Sequence, residues 1–389
     1  MSIQLDREIT QDFERATGIE WVEPNGLGGW AGTTVAGAHS RRHHGLLVAA
    51  TGPERRSVLL SRLDETVHVA GESFELGCNR FPGTVAPRGF EFLASFRKDL
   101  FPVYEYEMGG VRLQKTVATV AGENTTLVLY EVLEAPGPFV LSLRPFVAAR
   151  DHHALTSAND VLSQEMTFLD GVLRLAPYAG EPAVFVAVPG SDFQGNPQWW
   201  YRFEYELDRR RGFDFREDLW TPGLFSCEMA AGGRLGVVVA TDDPRGRDAF
   251  ALFAKERERR EQVLAAQGEE REVGDAMQRE AAYHQGTIWA WQLDAADLVP
   301  VPLGRTREVV VSEPPVPAAP VKAGKAPVPV KAKKTVKPVA AKAAKAAKPV
   351  ETKAVKTAPA KVEPEAPAVQ AEAKPKKTAA PKPKKTPAK

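Results

Sequence analysis

Two pairs of neighbouring histidines, His43-His44 and His152-His153, have an evident capacity for chemistry, since imidazole ligates metals and relays protons. No HExxH or CxxC spacing accompanies them. Adjacent residues on a strand point to opposite faces, so such neighbours are not expected to share one ion. Structural or substrate-facing roles are expected instead, and no metal is assigned. Two pairs of adjacent acids, Asp64-Glu65 and Glu217-Asp218, suggest the machinery of a glycoside hydrolase. That reaction needs two carboxyls about 5–9.5 Å apart across a sugar, and adjacency in sequence does not supply the separation. With Arg56, Arg62 and Arg216 nearby, ion pairing is the expected role of these acids. The cluster Gly26-Leu27-Gly28-Gly29-Trp30-Ala31 fits a relaxed dinucleotide pattern, but EWVEP before it is polar and ends in proline. No acid lies between Glu23 and Glu54 to hold a ribose, and no helical pattern follows. The glycines are expected to serve positive φ angles and close backbone approach, and no cofactor is expected.

These residues sit among short apolar runs that alternate with period two from Arg56 to about Thr241, such as SVLLSRLDETVHVA, VYEYEM, TTLVLYEVLE and RLGVVVAT. Runs rich in Val, Phe and Tyr, punctuated by Gly and Pro, predict antiparallel strands with one buried face. Ten or more without intervening helices predict a mainly β chain built on a large antiparallel β-sandwich. DDPRGRDAFALFAKERERREQVLAAQ, with Ala, Leu and Phe on one face, predicts an exit helix after the last strand. Aromatics crowd NPQWWYRFEYELDRRRGFDFREDLWTPGLF between Arg and Asp or Glu, a mixture suited to stacking on and hydrogen bonding to sugar rings. Most of these rings are expected to fill the core.

Charge is distributed unevenly. From Val321 to Lys389 there are 19 lysines and four glutamates, a net of +15, while residues 1–320 hold 32 basic and 46 acidic residues, a net of −14. The tail lacks Phe, Trp, Tyr, Leu, Ile and Met, so it cannot bury enough surface to offset ordering. A disordered basic arm is expected over 310–389, able at most to make weak, salt-dependent contacts with nucleic acid or another polyanion. Two cysteines, Cys78 and Cys227, make no disulfide framework and are expected to be reduced. With no signal-like N-terminus and no membrane-length apolar run, a cytoplasmic protein without membrane contact is expected.

EWVEPNGLGGWAGTTVAGAHSRRHHGLLVAA, with NGLGG, TVAGA and RR-x-HGLL in order, resembles the opening signature of bacterial and archaeal glycogen debranching enzymes. His43 occupies the position between RR and HGLL where that family more often has Tyr. SVLLSRLDETV, NPQWWYRFEYELDRRRGFDFREDLWTPG and RDAFALFAKERERREQVL are similar to successive later blocks, so the likeness runs over roughly 18–266. The resemblance implies a β-sandwich at 1–266 that precedes an (α/α) six-fold toroid with amylo-α-1,6-glucosidase activity. AYHQGTIWAWQL, residues 282–293, resembles a motif from late in that toroid. A whole toroid needs about twelve helices, roughly 300 residues, and there is no room for it. Residues 267–309 are therefore expected to be a helical remnant, with the catalytic carboxylates unassigned. The resemblance further implies glycogen or a branched α-glucan as partner. In the family the sandwich contributes a wall to the funnel, so its loops are the expected sugar contacts: Asn25, Trp30, Arg41, Arg42, His44, Arg216, Asp218 and Trp220. Three functions follow as expectations: a glucan-binding protein with little or no hydrolysis, an active glucosidase alone or with a separate catalytic subunit, and a polyanion-binding adaptor.

Overall fold

The computed structural model describes residues 3–269, together with the short strands Ile288–Ala290 and Val301–Pro302. Backbone contacts divide the chain into units at Met1–Val311 and Ser312–Lys389. The second unit, and with it most of the arm expected to be disordered, lies outside the described residues.

The described residues are predominantly β, arranged as two large antiparallel sheets. The first runs, in spatial order, through Ile3–Leu5, Leu93–Lys98, Pro102–Met108, Val111–Thr119, Thr125–Glu134, Arg234–Ala240, Val184–Ala187, Val172–Leu175 and Met166–Leu169. The second begins at Asp192–Glu204 and passes through Arg216–Met229, Phe139–Asp151, Arg56–Val69, Gly45–Ala50, Trp30–Thr34 and Ile19–Pro24. Beyond Ile19–Pro24 it adds Ile288–Ala290 and Val301–Pro302, with Trp21 opposite Ile288 and Ile19 opposite Ala290. A helical remnant is expected across 267–309; the residues described there continue the exit helix to Glu269 and then form sheet-edge strands. The remainder of AYHQGTIWAWQL lies outside the described residues.

Alternation places the core. In Pro102–Met108, Tyr104, Tyr106 and Met108 turn inward while Glu105 and Glu107 face outward. Inward residues from both sheets meet in one large core that includes Trp21, Leu59, Phe96, Tyr104, Tyr130, Leu141 and Val239. Polar links cross it: among them, the Trp21 indole N–H donates to the Tyr104 hydroxyl, and the Tyr130 hydroxyl donates to Glu65 at 2.6 Å. The expected exit helix is present at Ala249–Glu269. Asp248 Oδ1 accepts from the Ala251 amide at 2.6 Å, satisfying a free N–H of the first turn. Phe250 and Phe253 then cover the outer face of the first sheet over Phe101, Leu127 and Val238. A smaller cluster of Val48, Val58, Phe146, Phe203 and Leu219 covers part of the second sheet's other face. Cys78 and Cys227 are both buried free thiols, and burial pushes them up to about 12 and about 11 respectively.

Candidate functional site

The glycine cluster is a backbone device. Gly26 and Gly28 have φ of +79° and +86°, and a Cβ on Gly29 would lie 2.5 Å from the Val48 carbonyl oxygen. Asn25 is buried and fully engaged. Its Oδ1 accepts from the Leu27 and Gly29 amides at 2.9 Å, and its Nδ2 donates to the Glu123 carbonyl at 2.9 Å. It locks the 25–29 turn against the 122–124 loop, leaving little of its amide for a ligand.

Past the strand Trp30–Thr34, the chain turns through residues 35–44 and delivers Arg41, Arg42, His43 and His44 to one end of the second sheet. Arg41 and His44 point inward to Glu20. Arg41 Nε lies 2.9 Å from Glu20 Oε1, and His44 Nε2 lies 3.4 Å from the same oxygen. The Ser40 amide donates to His44 Nδ1 at 3.2 Å, which leaves Nε2 as the nitrogen facing Glu20. Arg42 reaches across the surface. Its amide and Nε donate to Asp208 Oδ2 at 2.7 and 3.3 Å, and its guanidinium also donates to the carbonyls of His153 and Asp214.

Beneath Arg42 lies a buried network. Arg150, at the end of Phe139–Asp151, makes a two-pronged ion pair with Glu217, whose side chain is fully buried. The Tyr205 hydroxyl and the Thr156 amide also donate to Glu217, and Arg150 donates to the Arg42 carbonyl at 2.9 Å. Burial works against the Arg150 charge, but Glu217 outweighs it and holds the guanidinium above its ordinary pKa. Burial, reinforced by Glu217, pushes Tyr205 well up, keeping it a donor. Asp218 pins loops, accepting from the Arg202 and Ala158 amides at 2.8 and 3.0 Å. Arg216 is exposed, with Nε 2.8 Å from Glu204. Trp220 is 1% exposed and lies in the main core, so its face meets protein. Arg150 therefore joins the Arg42 turn to Glu217, Arg41 and His44 meet at Glu20 and Arg216 pairs with Glu204, whereas Asn25 and Trp220 serve other contacts.

The other adjacent acids are also engaged. Glu65 takes Tyr130 and, at 2.5 Å, Lys115. Asp64 accepts from Asn79 at 2.8 Å, and burial raises its carboxyl above the ordinary range. Both line an interior cavity of about 50 Å³, room for a few waters. Ion pairing was expected with Arg56, Arg62 and Arg216; the observed partners are Arg150 for Glu217 and Lys115 for Glu65. Arg62 instead donates to the Cys78 carbonyl and lies over Phe203, while Arg56 serves the 28–55 turns.

One grouping was not expected from the sequence: His43, His152 and His153 gather beside Trp30, with the Trp30 and His152 rings edge-on at 5.8 Å. Residues 152–153 lie in a turn after the strand ends, so opposite strand faces do not separate their side chains. Asp151 was the available signal. Its Oδ1 accepts from the His153 amide at 2.8 Å, the local bond by which Asp starts a turn. Burial and the two neighbouring imidazoles push His43 down to about 3.

The buried groups set an acid sensitivity. Burial alone would raise Glu20, but His44, Arg41 and Ser40 outweigh it and push it down from 4.5 to about 2. Burial, then Arg62 and His44, hold His39 well below 6.5. Both folded-state values lie below the ordinary ones, so the unfolded chain binds protons first as pH falls. Stability present at neutral pH is therefore expected to fall once pH drops below 6.5 and to fall more steeply between 4.5 and 2. Urea midpoints should decline steadily from pH 7 to pH 3, with Glu20→Gln flattening the part of the curve below pH 4.5. Midpoints that stay level over this range would refute the assignment.

The two packed antiparallel sheets place the chain in the class of large β-sandwich proteins. It matches the family described as glycogen debranching enzyme N terminal over residues 19–235, more than half its length, and belongs to that family. No curated protein matches it. Among solved structures, a bacterial glucoamylase complexed with acarbose is 10% identical at a TM-score of 0.30, with 61% of this chain and 35% of that one covered. A kojibiose phosphorylase from human microbiome is 8% identical at 0.32, with 71% and 36% covered. A heparan sulfate lyase HepC mutant from Pedobacter heparinus is 9% identical at 0.25, with 42% and 21% covered. The chain spans about a third or less of the length of these structures, and likenesses this distant carry no functional argument. Among the described residues, no helix is long and apolar enough to cross a membrane.

Proposed function

We propose that this protein binds branched α-glucan through the loop end of its second sheet and has little or no hydrolytic activity alone. Membership of the debranching-enzyme N-terminal family over the sandwich carries the reading. The commitment of Asp64, Glu65, Glu217 and Asp218 to internal partners supports the second half of it. A glycosidase needs one carboxyl held protonated and a second across the scissile bond, and these four acids face protein groups instead. In this reading the toroid's chemistry belongs to a separate catalytic subunit.

Of the residues expected at the sugar, Trp30, Arg42 and Arg216 keep solvent-facing surface, and exposed Phe213 lies under the Arg42 guanidinium at 5.5 Å. Aromatic faces flanked by guanidinium donors suit a pyranose, one to stack and the other to hydrogen-bond hydroxyls. Cys78 and Cys227, buried as free thiols, accord with a reducing, cytoplasmic setting. The net charge of the 321–389 arm supports a second contact, with polyanions, that is separable from the first.

One native-gel series tests both. Maltodextrin should retard the protein, and Arg42→Ala should weaken that retardation about tenfold, the scale of a hydrogen bond from a charged group. DNA should retard it only at low salt, and only while the arm is attached. The same preparation should release no glucose from a branched limit dextrin. Glucose release abolished by Asp218→Asn, or maltodextrin retardation indifferent to Arg42, would overturn the proposal.

A further inference from the structure

We propose that His43, His152 and His153 form a binding site for one divalent transition-metal ion of the zinc class. The three side chains each offer a ring nitrogen, and these nitrogens lie within 4.8 Å of one another. His43 Nε2 and His153 Nδ1 are 3.2 Å apart. Two imidazole nitrogens bound tetrahedrally to zinc at about 2.0–2.1 Å lie roughly 3.3 Å apart, so this pair already has the required spacing. Three neutral imidazoles suit zinc, copper or nickel and do not suit magnesium or calcium, which prefer oxygen.

The surroundings orient the rings as metal ligands need. His152 Nδ1 lies 3.2 Å from the Arg56 carbonyl oxygen, so an Nδ1–H donates there and Nε2 carries the lone pair. A ligating histidine commonly has its second nitrogen fixed in this way by a backbone carbonyl. The two turns that supply the ligands are anchored to the fold and to each other. The Trp30 indole N–H donates to the His43 carbonyl at 3.0 Å, and Arg42 beside it is tied to Asp208 and to the His153 carbonyl. Asp151 holds the other turn through the His153 amide. His43 and His152 are half-buried while His153 is exposed, so an ion can enter from solvent and keep water as its fourth ligand. Binding requires no covalent step: neutral imidazoles donate lone pairs, and the ion exchanges aqua ligands for them.

The test uses the full chain, stripped with chelator and titrated with ZnCl₂ by calorimetry. One high-affinity equivalent is expected per chain. His153→Ala and His43→Phe should each weaken binding at least tenfold, and the double variant should abolish the tight equivalent. Cobalt(II) in place of zinc should give the visible absorption of a four-coordinate nitrogen-rich site, lost in the same variants. Circular dichroism of the metal-free variants should match the parent, since His153 lies at the surface and phenylalanine retains the ring volume of His43. Should a variant misfold, His152→Asn replaces it in the comparison. No saturable equivalent in the parent, or an equivalent unchanged in the double variant, overturns the proposal. Because glucan does not enter the assay, either outcome leaves the glucan reading to its own experiment.

Discussion

Glu217→Leu is expected to destabilise the sandwich by about 3–5 kcal/mol, since removing one partner of a buried ion pair leaves the other charge unpaired. The Glu217 side chain is fully buried and Arg150 is 6% exposed, so solvent cannot replace the lost partner. The Tyr205 hydroxyl and Thr156 amide lose their acceptor at the same time. For a domain of this size the loss corresponds to a fall of roughly 10 °C in melting temperature. The companion variant is Arg150→Met combined with Glu217→Leu, which removes both charges and fills similar volume. It should recover much of the loss, because apolar replacement of a buried pair is often neutral or better. Thermal and urea denaturation of the three proteins measure both effects. A single variant melting within about 2 °C of the parent would show that the pair contributes little to this end of the fold.

The contrast between what the sequence foretold and what it hid follows the range of each interaction. Strands such as Pro102–Met108 were legible because period-two alternation is a local property, and it is what the core selects. The exit helix was legible for the same reason, from the spacing of its apolar residues and the Asp248 before it. Partnerships were hidden. Arg150 meets Glu217 across 67 positions and Arg42 meets Asp208 across 166, and no local pattern reports such pairs. Residue type within loops cannot separate Asn25, spent on a turn, from half-buried Trp30 as a sugar contact. Trp220 illustrates the same limit, since its flanking charges read as surface while its strand turns it into the core. The three-histidine group was hidden because His43 and His153 are 110 positions apart and the alternation of the preceding strand gives no sign of the turn that Asp151 begins.

The longest-range pairing makes the second prediction. Glu23 has no exposed side-chain surface and holds two cations from different elements: Lys98 at 2.6 Å and Arg260 at 2.5 Å. Lys98 ends a strand of the first sheet, Glu23 lies in the second, and Arg260 belongs to the exit helix. Arg260 also donates to the Leu100 carbonyl at 2.7 Å, to Glu256 at 2.8 Å, and lies over the Phe101 ring at 4.2 Å. A single carboxylate thus joins both sheets and the helix that covers one of them. Glu23→Leu leaves two buried cations without it, so the expected cost is at least that of Glu217→Leu, about 3–5 kcal/mol. The losses should differ in kind. Arg260 and Lys98 can regain water if the helix lifts from Phe101, Leu127 and Val238, so the variant should undock the helix before the sandwich melts. Trypsin should then cut at Arg257, Arg259 and Arg260 under conditions where the parent resists. Melting should split into two transitions, the first carrying the helical ellipticity. Glu23→Gln, which keeps the shape but loses the charge, should show the same order of events. A single cooperative transition at an unchanged temperature, with the helix still protected from trypsin, would mean that apolar packing of Phe250 and Phe253 alone seats it.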